Sequence, residues 1–565
     1  MRRSNSELDR LRQGRSELEN HYIDELVAGN VSRRDFLRRG STIGMSMPLL
    51  GAILAACGSG SSSSKSAAGG SSNSSGGTPT KGGTLRVAGV TPAAAVNPLT
   101  VADAGGLLML NQTGEFLIFD SNLKLALQPM LALSWSPNND GSVWTFKLRQ
   151  GVKFHNGAAM TADDVVYTFQ QLSDPKNASN ALSTFTGVLT PSGVKKVDQY
   201  TVEFHLEAPN GNFPYLVSSD NYNAIIVPKG TDFAKWQKTF VGTGAFKYGS
   251  YTQNVGASFV PNPDYWGTKP LLSGTSFKFY SAQGPMILGL QGNEVDVVSQ
   301  FVPAGASALL NSSSYKIIKL NSANHRELSM RNDQPPFNDP RVRQALAYSL
   351  DRAGMVSALL SGDGHVANDY PFGPRFPSTD TSVAQRAQDI AKAKQLLQAA
   401  GHTSVSATLA TEIYQEIPQL AQVIKADAAK AGFNINLKIE QQSAYYGKAT
   451  FGNSDWLDST LSLVDYGDRG VPNVFLEAPL TSSGPWNAAH FKNKTYDGLV
   501  KQYVAATDLQ TQKSIAGKIE QLLLNETPLI IPYWIDGLTA STPNVGGLNP
   551  TAIAQLYLNT AYKSA

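Results

Sequence analysis

Cysteine is almost missing from this chain of 565 residues, and the one that occurs, Cys57, has no intramolecular partner for a disulfide. Histidine is sparse as well. Seven histidines are scattered singly from His21 to His490, and with one thiol in the chain a structural zinc site is not expected. Charge of one sign is also lacking: 47 Lys and Arg stand against 44 Asp and Glu, and the first 40 residues alone, with nine Arg and seven acidic residues, supply +2 of the net +3. Without a basic face to neutralise phosphates, nucleic acid is not expected as a partner. Charged residues at 16% and hydrophobic ones at 41% describe an ordinary folded body, and its length calls for two or three cores rather than one.

Enzyme signatures are missing too. The chain holds no G-x-S-x-G, no G-x-x-x-x-G-K-[ST] and no H-E-x-x-H, and its best glycine pair, Gly242 and Gly244, is followed by Lys247 where a dinucleotide fingerprint needs a third glycine. No catalytic residue, metal site or cofactor is therefore expected. His155 and His205 fall in predicted strands and read as structural.

What the N-terminus does contain is an address. Ser32-Arg33-Arg34-Asp35-Phe36-Leu37-Arg38 matches a twin-arginine export signal, and the apolar run Gly40 to Ala56 ends in Leu54-Ala55-Ala56-Cys57, similar to a bacterial lipobox. That run has 17 residues, short of the ~20 a bilayer core requires, so export with cleavage before Cys57 and lipidation of its sulfur is the expectation. The residues from Gly58 to Thr80 are nearly all Ser and Gly. Such a tract cannot order itself, and as a coil its 23 residues reach on the order of 25–30 Å, a tether between membrane and body.

The most structured signal lies between Val143 and Phe169. Val143 to Gln150 alternates polar and apolar side chains like a strand, Gly151 and Asn156-Gly157 bracket VKFH as a second strand of a near-hairpin, and Thr161 with Asp164 predicts a capping box for a helix whose buried stripe is Val165, Val166 and Phe169. Elsewhere, Thr84 to Val90 and Ala224 to Val227 read as strands. Asp339-Pro340 opens a helix, Gly401 closes another that starts at Ile390, and Val405 to Ile439 has a βαβ-like succession.

The segments LRQGVKFHNG with TADDV, VGTGAF at Val241 to Phe246, NPDYW at Asn262 to Trp266, and PPFNDPRVRQALAYSLDR at Pro335 to Arg352 together resemble the signatures of the family 5 extracellular solute-binding proteins, the dipeptide, oligopeptide and nickel receptors of ABC importers. The resemblance runs from about Gly82 to the C-terminus. It implies an α/β, two-lobed periplasmic-binding-protein fold with a hinge of two crossings and an extra subdomain in the first lobe. On that reading residues 1–57 are signal, 58–80 linker, 81–320 with 528–565 lobe I, and 321–527 lobe II. The expected role is a monomeric, lipid-anchored receptor outside the cytoplasmic membrane that hands a peptide or peptide-sized solute to an ABC permease.

Asp465, in LSLVDYGD, stands where the family's peptide receptors place the aspartate that receives the α-ammonium group. Ser462 takes the place of a family tryptophan there, Ser443 that of another, and Arg469 replaces a proline, so the pocket walls differ from the pattern. Tyr445, Tyr446, Tyr466 and Trp486 are candidates for replacement surfaces, with Thr91, Phe185 and His325 as further ligand contacts. Three readings stay open: a peptide receptor, the same receptor for an oligosaccharide, opine-like conjugate or nickel chelate, and a secreted hydrolase using Asp465 and Asp468.

Overall fold

The computed structural model describes residues 79–120 and 127–564; the twin-arginine stretch, Cys57 and most of the Ser/Gly tract lie outside the described residues. The two residues that close that tract, Pro79 and Thr80, already pair with Lys563 and Ser564 in a small antiparallel sheet.

One twisted 12-stranded sheet runs through both lobes. From one edge its path takes the strands Phe433–Glu440, Val405–Glu412, Leu461–Tyr466, Lys316–Met330, Tyr533–Ser541, Val297–Phe301, Thr84–Val90, Gly274–Tyr280, Gly256–Pro261 and Phe246–Thr252. The outer parts differ in kind. At one end, Val405–Glu412 pairs in parallel with both Phe433–Glu440 and Leu461–Tyr466, with the helix Ile417–Ala431 as the crossover expected of a βαβ unit. Towards the other end, Thr84–Val90 pairs in parallel with Val297–Phe301 and Gly274–Tyr280, the helix Gln283–Gln291 packing against them.

Two antiparallel strands join these parts. The 15-residue strand Lys316–Met330 and its neighbour Tyr533–Ser541 share a ladder that is interrupted between Leu320 and Asn324, a bulge at the point where the chain passes between lobes. Each side of the junction has its own core. Leu85, Leu108, Phe116, Phe146, Phe169 and Phe204 anchor the first lobe, while Leu328, Leu346, Leu409, Ile424 and Leu463 anchor the second.

The extra subdomain of the first lobe is a four-stranded antiparallel sheet, in the order Ala132–Pro137, Val143–Leu148, Thr201–His205, Val194–Asp198. The capping box forms as predicted: Thr161 Oγ1 accepts from the backbone of Asp163, Asp164 Oδ2 accepts from the backbone of Thr161, and the helix Ala162–Ser173 follows. The hairpin does not form. VKFH closes a single bridge, Lys153 to Ala159, and the true partner of Val143–Leu148 is the strand Thr201–His205, more than fifty residues away and invisible to local turn chemistry. Ala224 to Val227 is fully buried but joins no ladder; its amides are taken by Glu115 O and Thr168 Oγ1 instead. No helix among the described residues is long and apolar enough to cross a membrane.

Candidate ligand-binding site

A cavity of about 680 Å³ opens between the lobes. Val90, Asp103, Gln283 and Gln300 line it from the first lobe, and Arg326, Gln415, Asp465 and Arg469 from the second.

Asp465 enters the cavity because of its place on the strand Leu461–Tyr466. Leu461 and Leu463 lie on the face turned to the second-lobe core, and alternation carries Asp465 to the cavity end of that same face. Directly opposite, in register, stands Arg326, whose Nη1 donates to Asp465 Oδ1. The guanidinium has further acceptors: Nε donates to Glu416 Oε1 at 2.8 Å, and Nη2 to Gln415 Oε1 at 2.7 Å and to Glu416 Oε2 at 3.1 Å. Glu412, buried beside this group, accepts from Tyr446 Oη at 2.8 Å and from Gln442 Nε2 at 2.6 Å, and its Oε1 lies 3.4 Å from the Asp465 amide.

Two carboxylates thus share one guanidinium, and a third, that of Glu412, lies beside Asp465. Burial pushes the Asp465 carboxyl above its ordinary range; Arg326 pulls it back, and Glu412 and Glu416 push it up again. The second oxygen of Asp465 has no protein donor among the described residues, and the side chain is 28% exposed. A wall with surplus negative charge and an open carboxylate oxygen suits a cationic group that brings its own hydrogen-bond donors.

A second charged group spans the cleft. Arg375 is buried, and its Nη2 reaches Asp120 at 3.2 Å and Asp220 at 3.4 Å in the first lobe, while Nη1 donates to Asp468 in the second. Burial and the neighbouring Asp120 carboxylate hold the Asp220 carboxyl well above its usual range. Close by, Asn212 Nδ2 donates to Asn473 Oδ1 and Gln512 Nε2 donates to Asn212 Oδ1, each at 2.9 Å.

The remaining candidates divide by strand face. Tyr466 alternates away from Asp465 and stacks on its cross-strand neighbour His325, ring centres 5.4 Å apart at 12°. Rings continue from there: Trp486 lies 6.2 Å from Tyr466, Trp456 6.3 Å from Trp486, Tyr446 5.4 Å from Trp456 and Tyr445 5.1 Å from Tyr446. The structure therefore brings Tyr445, Tyr446, Tyr466, Trp486 and His325 together as a ladder of packed rings, none of which lines the cavity. Ser462 is buried on the strand opposite Ser329. Thr91 directly follows the cavity-lining Val90 and holds Tyr280 O through its amide at 2.9 Å, and Phe185 packs on Phe169 in the first-lobe core.

Sequence reasoning missed Arg326, Glu412, Glu416 and Arg375. Arg326 lies in the mixed polar and apolar stretch Asn321 to Met330, where no pattern marks one charge as paired.

These features define a two-lobed binding protein that holds a solute in an interlobe cavity. The family model for bacterial extracellular solute-binding proteins, family 5, matches residues 126–472, and the chain belongs to that family. It is 26% identical to heme-binding protein A of Haemophilus influenzae over 74% of this chain and 81% of the relative, and 26% identical to the dipeptide-binding protein of Escherichia coli over 76% and 84%. Among solved structures, the ABC transporter-associated periplasmic binding protein DppA from Helicobacter pylori in complex with the peptide STSA superposes with a TM-score of 0.70 at 21% identity, covering 86% of this chain and 99% of that one.

Proposed function

We propose that this chain is an extracytoplasmic receptor that captures short peptides between its lobes and delivers them, chemically unaltered, to an ABC permease. The observation that carries the reading is the open oxygen of Asp465 in a wall where Asp465 and Glu416 share one guanidinium and a third carboxylate, Glu412, lies beside Asp465. Every unmodified peptide has one α-ammonium group, and charge-assisted hydrogen bonds make that group the natural complement. Relatives named for dipeptides and for di- and tripeptides support the same reading. The rings of Tyr446, Tyr466 and Trp486 pack in the aromatic ladder and do not line the cavity. Asp468, the second carboxylate of the hydrolase reading, is held by Arg375 and by the amide of Ala323, so it is not free to act as an acid or base.

In this proposal lobe I comprises residues 81–320 and 528–565 and lobe II residues 321–527. The twin-arginine signal directs export, and lipidated Cys57 with its Ser/Gly tether holds a monomeric receptor near its permease. The experiment is a calorimetric titration with tri-alanine and with N-acetyl-tri-alanine. Tri-alanine should bind and the acetylated form should bind at least about tenfold more weakly. Equal binding of the two, or binding of neither, rejects the reading.

A further inference from the structure

A second cavity, of about 110 Å³, lies in the first lobe behind the wall of the interlobe cleft, and the two share no lining residue. The helix Ala104–Thr113 connects them. Its start, with Asp103, Ala104 and Leu107, lines the cleft, and Asn111 and Gln112 in its last turn line the second cavity, roughly 10 Å further along the axis. Asn111 and Gln112 are 5% and 2% exposed, yet Asn111 Nδ2 and Gln112 Oε1 have no partner among the described residues. Native interiors leave few such groups without a reason.

The identity of both atoms is fixed by their neighbours. Gln112 Nε2 donates to Leu108 O at 3.0 Å and to Leu556 O at 2.7 Å, so a flipped amide would set its oxygen against two carbonyls. The same Nε2 lies 3.5 Å from Asn111 Oδ1, and turning the Asn111 amide round would face one NH₂ group with another. Adjacent residues thus leave one donor and one acceptor to be met. Glu115, also in the wall, already accepts from Thr243, Tyr265 and Trp266.

These groups restrict the chemistry of an occupant. An anion meets Gln112 Oε1 and the Glu115 carboxyl group, a cation brings no acceptor to Asn111 Nδ2, and a hydrocarbon leaves both amides unmet. A carboxamide offers its C=O to Asn111 and its N–H to Gln112. The rest of the wall suits an alkyl tail, with Phe246 and Leu558 buried and Met130 half-buried there. At about 30 Å³ for each water in the liquid, the volume fits three or four waters or one solute of about five or six heavy atoms. We infer that this cavity is a second binding site, separate from the cleft, for a small neutral solute that carries a carboxamide head on a short alkyl tail. The site is independent of what the cleft binds.

Ligand-observed NMR with propionamide on the full chain tests the site. Wild type should bind it with a Kd on the order of millimolar, within reach of so small a ligand, and should bind its anionic and cationic isosteres, propionate and propionamidinium, at least about tenfold more weakly. Asn111→Leu, which removes the donor, should weaken propionamide binding by at least about tenfold, with a thermal melt to confirm folding, and excess tri-alanine should not displace the amide. Equal binding of the three isosteres by wild type, or no propionamide signal at about 50 mM, overturns the inference; in the second case ordered water completes the two amides. Neither of these arms needs a variant to fold. Unchanged affinity in Asn111→Leu overturns it as well. So does displacement by tri-alanine, which would put the amide in the cleft and leave the peptide reading intact.

Discussion

Arg326 and Asp465 occupy the same rung of two antiparallel strands, and the guanidinium that steadies the Asp465 carboxylate is itself buried, held from behind by Glu416 and Gln415. The pair divides two jobs between two residues. Asp465 faces the ligand cavity; Arg326 neutralises the buried carboxylates behind it.

Substitutions should separate those jobs. Asp465→Asn keeps an acceptor for Arg326, which retains Glu416, so the cost in stability should stay near 1 kcal/mol, while affinity for tri-alanine falls by about 1.5–3 kcal/mol. Arg326→Met should do the reverse in emphasis: it leaves Glu416 buried with no countercharge and should destabilise the fold by about 3–5 kcal/mol. Urea unfolding alongside calorimetry distinguishes the two. A large loss of stability in Asp465→Asn would contradict this assignment.

The Arg375 group makes capture pH-dependent. In the closed cleft Asp220 faces Asp120, Asp468 and Arg375 and lies near the phenols of Tyr215 and Tyr557, and its carboxyl is raised above the ordinary value of 3.8, chiefly by burial and then by Asp120. Opening the lobes returns it to water. The closed form therefore binds the extra proton, is favoured as pH falls from neutral towards the ordinary carboxylate range, and loses that advantage as pH rises through the raised value. Tri-alanine affinity should increase between pH 8 and pH 5 with a slope of at most one proton, and Asp220→Asn should flatten that slope. Calorimetry in buffers of different ionisation enthalpy measures the proton directly, and an unchanged slope in the variant would refute the assignment.

Glu115 explains why the signature motifs revealed the fold and not the site. It is fully buried, and it accepts from Thr243 Oγ1, Tyr265 Oη and Trp266 Nε1, each at 2.8 Å. His155 Nε2 holds Gly244 O at 2.9 Å, and the Arg149 guanidinium lies 4.1 Å from the centre of the Trp266 ring. Motifs that are far apart in the chain meet at one structural node, remote from Asp465. Burial raises the Glu115 carboxyl to about 7 against a usual value of 4.5, a burden of roughly 3 kcal/mol on the folded state that is fully present above pH 7 and relieved as pH falls towards 4.5. Glu115→Gln should lose this pH dependence of the melting temperature and leave tri-alanine affinity unchanged.

What was legible in the sequence follows the range of the interaction. The capping box of Thr161 and Asp164, the Asp339-Pro340 helix start and the βαβ unit at Val405 to Glu440 are set by residues a few positions apart, and all formed as read. Pairing of Val143–Leu148 with Thr201–His205, and the meeting of Arg375 with Asp120 and Asp220, depend on chain closure over long separations that no local pattern encodes. Asp465, which lines the cavity, was singled out because its segment resembles a family motif. Its partner Arg326 carries no such tag, since a charge in a strand looks the same whether it faces a ligand, an ion pair or solvent.

Two glycines should govern closure itself. Gly211 belongs to the first lobe and lies against the chain at Ala506 in the second: its amide donates to Val504 O at 2.9 Å, and a methyl group in its place would sit 1.9 Å from Ala506 O. Gly470, in the second lobe, leaves no more room, a methyl group there falling 2.1 Å from Asp220 Oδ2. Backbone cannot move aside as a flexible side chain does, so Gly211→Ala should be the more severe change. Both contacts bridge the lobes and vanish when the cleft opens, so the clash penalises the closed state and spares each lobe's core. Gly211→Ala should therefore retain the wild-type unfolding profile, bind tri-alanine at least about tenfold more weakly, and remain expanded in small-angle scattering when tri-alanine is added. Gly470→Ala should show the same pattern to a smaller degree, because the Asp220 side chain can rotate away at the cost of its contact with Arg375. Compaction of Gly211→Ala to the wild-type radius would mean that the contact between Gly211 and Ala506 persists when the lobes separate, and that closure turns about a different axis.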